Sequence, residues 1–505
     1  MKRSPDLLRL ADTVLLPGFT GTTAPDWVRR RLAGGLAGVV LFSRNVDTPA
    51  QLVALTSALR AENPEILIGI DEEAGEVTRL EARTGSSRPG NYALGVVDDV
   101  DLTERVARGI GRDLRAVGVN IDFAPAADVN SNPDNPVIGL RSFGADPLLV
   151  ARHTAAWIRG LQSTGVAACA KHFPGHGDTS VDSHHGVPRV TVSREELAEV
   201  ELWPFRVAID EGVRSIMTGH LLVTAYDEEL PATLSPHVLT GLLREELGFE
   251  GLIVTDGIEM AAVSGRYGLG GASAMAVAAG ADAVCVGGEN ADEATYEHIR
   301  DAVADAVTEG RLPEERLADA AARVRALTAW QAQATPPPLN YGQNDGQDDG
   351  QDEAGLIAAR RAVRVTRHGA DDLLPLTAAP HVVELAPETN LAIDKDMPWG
   401  AGEPLGKLLP GTTVARLRQP DVHNGVAGTV LRQAAERPLV IVVRDAHRHP
   451  WQTDLLESLL AARPDGVVVE MGLPGRTDLG AVHIATHGAA RVCGQAAAEV
   501  LAGLA

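Results

Sequence analysis

The sequence predicts an α/β protein: a (β/α)8 TIM barrel followed by a smaller α/β sandwich domain. Three observations carry this. Eight short apolar runs alternate with segments of helical spacing over the first two-thirds of the chain. Five of those runs end in charged or ionisable residues, as barrel strands do on the face where loops carry chemistry. After Trp330 the composition breaks, and a second, shorter series of runs follows.

The eight runs lie at 13–16, 38–42, 66–70, 121–125, 166–170, 215–218, 252–255 and 283–286. Between them, Leu102, Val106, Ile110, Leu114 and Val117 recur at helical spacing. Ser193-Arg194-Glu195-Glu196 reads as a capping box, and Ser235 as the cap of a helix reaching Leu247. Helices at 290–309 and 314–330 complete the barrel. A doubly wound sheet is the runner-up, and the count of eight and the polar strand ends argue against it. Those ends are Asp71, Asp128, Lys171 with His172, His220 and Asp256.

The barrel is expected to occupy residues 1–330. Residues 331–355 contain Gly342-Gln343-Asn344-Asp345 and two near-repeats of it, acidic and without apolar residues, and read as a flexible linker. Residues 356–505 then alternate apolar runs at 382–385, 413–417, 439–443 and 467–471 with helical stretches, a small domain with a mostly parallel sheet. Its one titratable cluster, Arg444-Asp445-Ala446-His447-Arg448-His449, reads as a solvated loop.

Composition narrows the partners. The chain has 505 residues, and a net charge of -23 speaks against nucleic acid or an anionic membrane as a ligand. Only 4% of residues are aromatic, so the cores must be built from Ala, Val, Leu and Ile. Three cysteines, Cys169, Cys285 and Cys493, sit far apart in apolar settings and suggest neither a disulfide framework nor a zinc site. No apolar run is long enough to span a membrane, and no signal-like segment is seen, so a cytoplasmic protein is expected.

The chemistry concentrates in residues 171–184, KHFPGHGDTSVDSH, which leave a buried strand as a loop rich in Gly, His and Asp. Asp182 and His184 are spaced i, i+2, which puts both on one side of an extended segment. A carboxylate beside an imidazole orients it and raises its pKa, making a general acid and then a general base. His176 and Asp178 have the same spacing, and His185 is a further imidazole, so the residues alone leave the pair open. Asp256, in Val254-Thr255-Asp256-Gly257, is a strand-end carboxylate of the kind that attacks an anomeric carbon. It can equally be a metal ligand or the cap of the next helix. Asp71, Arg141, Lys171 and His172 are hydroxyl-binding types dispersed over strand ends, suited to a small carbohydrate.

These residues resemble a known family. The 171–184 run is similar to the KHFPGHG…DSH motif of bacterial β-N-acetylglucosaminidases of glycoside hydrolase family 3. Gly69-Ile70-Asp71-Glu72-Glu73, Asn120-Ile121-Asp122-Phe123-Ala124-Pro125, Asp128-Val129-Asn130-Ser131-Asn132-Pro133, Arg141-Ser142-Phe143-Gly144 and the stretch from Val254 to Met260 support it in the right order. The resemblance covers about 12–330, and more weakly the second domain. It implies a retaining mechanism with Asp256 as nucleophile and Asp182 with His184 as the acid/base pair. Asp71, Arg141, Lys171 and His172 would bind a terminal non-reducing β-linked N-acetylglucosamine, from a peptidoglycan or chitin fragment. No cofactor or metal is implied. Two departures stand out: Glu76 replaces a cation, and Gly257 stands where many relatives have a second Asp. A phosphorylase using the same residues is the first alternative, because a histidine does not repel an incoming phosphate. A catalytically silent sugar-binding protein is the second, and a β-glucosidase is disfavoured by the DSH loop.

Overall fold

The computed structural model describes residues 3–504 except 182, 184–185, 288–291, 334–352, 370–372, 390–391 and 396. Its contacts divide the chain into two compact units. The first comprises Met1–Glu73, Thr103–Ile138 and Gly144–Asp348; the second comprises Ala74–Leu102, Gly139–Phe143 and Asp349–Ala505. Two stretches that fall within 1–330 in sequence therefore group with the second unit. Of the expected linker, residues 334–352 lie outside the described residues. Gln331–Gln333 complete the helix Glu314–Gln333, and Ala354 opens the next one, Ala354–Ala362.

The first unit has strands where all eight apolar runs fall: β1 (Leu15–Pro17), β2 (Gly38–Leu41), β3 (Leu67–Ile70), β4 (Ile121–Asp122), β5 (Ala167–Phe173), β6 (Ser215–Thr218), β7 (Leu252–Thr255) and β8 (Val284–Val286). Strands β2 to β7 pair in sequence order, every pair parallel. A parallel bridge from Val254 to Ala283 carries the order on to β8, which pairs with β1. Between β1 and β2 no ladder forms, yet they pack closely, since a Cβ on Gly38 would lie 2.5 Å from Leu16 Cδ2. This is the (β/α)8 barrel expected. Buried runs of Val, Ile, Leu and Ala make such strands because both faces are covered, one by helices and one by the barrel's own interior.

That interior is filled by Leu16, Val40, Leu67, Phe123, Cys169, Met217 and Val254. Val324 and Leu327 of the helix Glu314–Gln333 enter the same cluster. This helix also stacks Trp330 under the Arg214 guanidinium, which immediately precedes β6. One end of the barrel, where strands begin, is thus occupied by packing, and the opposite end is left for function.

The helices largely follow the sequence signals. Ser193 accepts from the Glu196 N–H as cap of Arg194–Glu199. Ser235 does not act as a cap: its hydroxyl donates to Asp227 at 2.7 Å, and the helix His237–Glu246 starts behind Pro236 without a side-chain cap. The expected start at Asn290 lies outside the described residues; the helix runs Glu293–Thr308 with Asp292 accepting from the Thr295 N–H.

In the second unit six strands, β9 (Arg364–Arg367), β10 (His381–Ala386), β11 (Thr413–Arg418), β12 (Leu439–Val443), β13 (Val467–Glu470) and β14 (Val482–Ala485), order as β9-β14-β13-β12-β10-β11. Only the β9–β14 pair is antiparallel. The period of two is visible in β12. Val440 and Val442 join Ala496, Ala497 and Leu501 of the helix Arg491–Ala502 on one face, while Leu439, Ile441 and Val443 join Leu455 and Leu459 of Pro450–Ala462 on the other. Helices on both faces make this an α/β sandwich. Strands β9 and β14 were not anticipated, β9 because its side chains are half-buried or exposed and lack an apolar run.

A buried charge ties the end of the barrel. Asp282, just before β8, is fully buried and pairs with Arg244 and, at 2.6 Å, with Arg316, while accepting from the Ile253 N–H at 2.9 Å. Asp282→Ala would strand two half-buried guanidiniums, and a loss of about 3 kcal/mol is expected. Chemical denaturation checks this, and a change under about 1 kcal/mol would show that the pair is not a structural tie.

Candidate functional site

Parallel strands end on one side, so the strand-end residues of the first unit share a rim by construction. Register tightens this. Phe173 of β5 pairs with Thr218 of β6, and Thr218 with Thr255 of β7, which precedes Asp256. Ile70 of β3, which precedes Asp71, pairs with Asp122 of β4, and Ala126 bridges to Lys171 of β5. The rim thus gathers Asp71, Lys171, His172 and Asp256.

The Lys171 ammonium is 2% exposed and held between two carboxylates, Asp71 at 2.7 Å and Glu73 at 2.6 Å. A cation so buried needs such partners to remain charged. Next to it, Asp122 is fully buried and accepts from the Glu72 N–H at 2.9 Å. Burial, reinforced by the Glu72 carboxylate, pushes its pKa well above the ordinary carboxylate value.

Asp128 organises the start of the loop after β5. One carboxylate oxygen takes His172 Nδ1–H at 2.8 Å; the other accepts the N–H groups of His172 at 3.1 Å and His176 at 2.8 Å. Burial alone would raise the Asp128 pKa, but the charge and hydrogen bonds of His172 outweigh it and hold the carboxyl below its ordinary value. His172 is thereby oriented, its second ring nitrogen turned away from Asp128.

The loop after β5 is fitted to the wall beside it. Asn135 donates to the carbonyls of His176 and Gly177. A Cβ on Gly177 would sit 1.6 Å from the Val129 carbonyl oxygen, so only glycine fits there. Gly175, at φ +127°, packs on Glu201, whose carboxyl also takes the Ser131 hydroxyl at 3.1 Å. Burial, aided by Asp128, raises Glu201 to about 8. The His176 ring is bonded to Thr179 at 2.6 Å, and burial together with the neighbouring His172 lowers its pKa to about 4. Asp182, His184 and His185 lie outside the described residues. Ser183 between them accepts from the Ala262 N–H at 3.3 Å, just after Asp256 in sequence.

The Asp256 N–H donates to the Thr218 carbonyl at 3.2 Å, and its carboxylate accepts the Gly257 N–H at 2.7 Å. His220 fixes the next peptide, bonding Gly257 O at 2.9 Å and Thr233 at 2.8 Å. The following helix, Ala261–Ala279, starts behind Met260 with no side-chain cap, so the helix-cap reading of Asp256 is set aside.

Arg141 belongs to the second unit. It closes a short turn, Gly139–Arg141, is buried, and its carbonyl accepts from Asn91 at 2.7 Å. Glu76 is there too, and the anion noted in the sequence is not left alone: Arg444 pairs with it at 2.7 Å, both side chains buried. The reading of residues 444–449 as a solvated loop is therefore corrected for Arg444, whose neighbours in sequence gave no sign of a buried partner. Glu73 and Glu201 were not singled out, and Asp128 and His220 were read only as ionisable strand ends with no assigned role. The signal for Glu73 and Asp128 was their place in the motifs, and for Glu201 there was none, since it lies in a helical, charge-rich stretch.

Glu201 gives a test. Unfolded, its carboxyl loses the proton near its ordinary value of 4.5; folded, it keeps it to about 8. The folded state therefore binds more protons in that window, and this group's contribution to stability falls as pH rises through it. Glu201→Gln, neutral throughout, is expected to melt higher relative to the wild type at pH 8 than at pH 5. A melting difference independent of pH would show that Glu201 is already ionised.

Comparison with known proteins places the chain in a family. Residues 22–327, more than half the chain, match the model of the glycosyl hydrolase family 3 N terminal domain. Beta-hexosaminidase A of Pseudoalteromonas piscicida is 36% identical over 317 residues, covering 58% of this chain and only 53% of that protein, about half its length. A beta-hexosaminidase of Alkalilimnicola ehrlichii is 36% identical over 332 residues, 63% of this chain and 93% of its own. The solved structure of a glycoside hydrolase family 3 beta-N-acetylglucosaminidase from Paenibacillus sp. str. FPU-7 superposes with a TM-score of 0.88 at 35% identity, over 99% of this chain and 97% of that one. With its barrel, its strand-end rim and these relatives, the chain belongs to glycosyl hydrolase family 3 and is a glycoside hydrolase.

Proposed function

We propose that the chain is a retaining exo-β-N-acetylglucosaminidase, removing terminal non-reducing β-linked N-acetylglucosamine from peptidoglycan fragments or chitooligosaccharides. The observation that carries this is the Asp256 carboxylate on a rim shared with Asp71, Lys171 and His172, in a chain that aligns end to end with a β-N-acetylglucosaminidase. Asp256 attacks the anomeric carbon, forming a glycosyl-aspartate and inverting that centre. His184, oriented by Asp182, donates a proton to the leaving oxygen, then takes one from the water that releases the sugar with a second inversion. The open choice between the two His/Asp pairs is decided in this reading by the resemblance and supported by His176. A ring bonded to Thr179 with a pKa of about 4 holds no proton to donate at neutral pH.

Sugar hydroxyls are assigned to Asp71, an acceptor, and to the donors Lys171, His172 and Arg141. Asp128 favours this role for His172 by fixing its ring. Recycling of imported cell-wall fragments in the cytoplasm belongs to the same proposal, and recovery of the protein from culture medium would overturn that part. Among the described residues no helix is long and apolar enough to cross a membrane.

Hydrolysis of para-nitrophenyl β-N-acetylglucosaminide tests the reading. Wild type is expected to turn over, and Asp256→Ala to lose at least roughly a thousandfold in kcat/KM. Free sugar as the product with and without phosphate is expected. A phosphate-dependent rate giving sugar 1-phosphate would move the assignment to a phosphorylase, and turnover of the glucoside alone would refute the sugar assigned. No turnover of either would point to a sugar-binding protein.

A further inference from the structure

We propose that Arg444, through its buried pair with Glu76, is a positioning residue for Arg141. The inference rests on the reading of Arg141 as a sugar-binding residue. All the groups involved belong to the second unit.

Arg444 follows β12, at the carboxyl end of a parallel sheet, where α/β folds of this type place ligand-facing loops. Its backbone is clamped on both sides by one side chain: Gln452 Oε1 accepts the Arg444 N–H at 3.2 Å, and Gln452 Nε2 donates to the Arg444 carbonyl at 2.9 Å. The next turn is held as firmly. Glu470, buried, accepts the N–H groups of Asp445, Ala446 and Gly472, and the Asp445 carboxylate accepts that of Leu473. So much support makes the Arg444 guanidinium a fixed charge rather than a mobile surface arm. It is 2.7 Å from Glu76 with both side chains buried.

From Glu76 the contacts run to Arg141. Its neighbour Gly75 lies against Gly90, where a Cβ would come within 2.8 Å of the Gly90 Cα. Gly90 precedes the helix Asn91–Val97, and Asn91, buried, donates to the Arg141 carbonyl at 2.7 Å. From the other side, the turn bearing Arg141 meets the loops after β12 and β13. A Cβ on Gly139 would be 3.7 Å from Leu473 and 3.8 Å from the Arg448 guanidinium. Burial pushes Glu76 up to about 7, and the charges of Arg444 and Arg141 both pull it back, so Glu76 lies in the field of the two guanidiniums. An anion between two cations relieves their repulsion and sets where each can rest. A buried ion pair adds little net stability, and in this proposal it fixes geometry.

The test is a double-mutant cycle with kcat and KM on para-nitrophenyl β-N-acetylglucosaminide, each variant's fold checked by circular dichroism and melting. Arg444→Met is expected to lower kcat/KM between roughly tenfold and a hundredfold, chiefly through KM, as a displaced positioning group does. In an Arg141→Ala background the same change is expected to cost less than about twofold, because its target is gone. Arg444→Lys should recover part of the loss, since it keeps the charge without the fork. If Arg444→Met fails to fold, Glu76→Gln, nearly isosteric, runs the same cycle. Full additivity of the two losses, or a folded Arg444→Met or Glu76→Gln within about twofold of wild type, would overturn the proposal. If Arg141→Ala alone leaves KM unchanged, the sugar-binding reading of Arg141 fails, and the proposal with it. If Arg141→Ala raises KM and the cycle is additive, only the positioning role fails.

Discussion

An ammonium cannot be buried alone, and Lys171 is buried at the end of β5. Everything around it follows from that requirement. Asp71 and Glu73 come from the loop after β3 to pair with it, which draws that loop over the strand ends. With two carboxylates committed to Lys171, a third nearby, Asp122, is buried and has its pKa pushed well up. The next residue, His172, meets a different carboxylate, Asp128, which also ties down the backbone of His176. The acids of the rim thus divide into those paired with Lys171 and one bound to an imidazole. Asp256 directly follows β7, and its carboxylate accepts the Gly257 N–H.

The barrel was legible because its physics is local. Strands buried on both faces must be apolar runs, and eight of them appear where the sequence shows them. Helix boundaries were legible where a cap is an isolated signal, as at Ser193, and misread where a hydroxyl had another partner, as at Ser235 bonding Asp227. The edge strand β9 could not be read, since its alternation is of half-buried and exposed residues with no apolar stripe. The site was legible as residue types but not as partnerships. Lys171 and His172 stand next to each other in sequence, yet their counter-charges come from Asp71 and Asp128, 100 and 44 positions away. Burial of a charge is decided by tertiary packing, and no property of residues 444–449 taken alone distinguishes a buried Arg444 from an exposed one.

The same contrast explains Glu76. Read along the chain, an acid in place of a cation looks like a change in the charge of the site. Read in space, it is half of a neutral pair, because Arg444 supplies the guanidinium from more than three hundred residues on. Long-range pairing of this kind supplies the guanidinium from a distant part of the chain. Arg444 sits in the loop that follows β12, a loop clamped by Gln452 and Glu470.

Loops that carry chemistry usually trade order for reach, and here the loop after β5 shows where the order is kept. Its first half is pinned by Asp128, Asn135 and the Gly177 contact with Val129, and its far side touches Ala262 through Ser183. Glu201 lies beneath Gly175 as an acid that remains uncharged until about pH 8. A neutral carboxyl there permits close packing beside Asp128 and Asp178, which a charged one would oppose. The loop is therefore braced at its base by buried contacts with Asp128, Asn135 and Glu201.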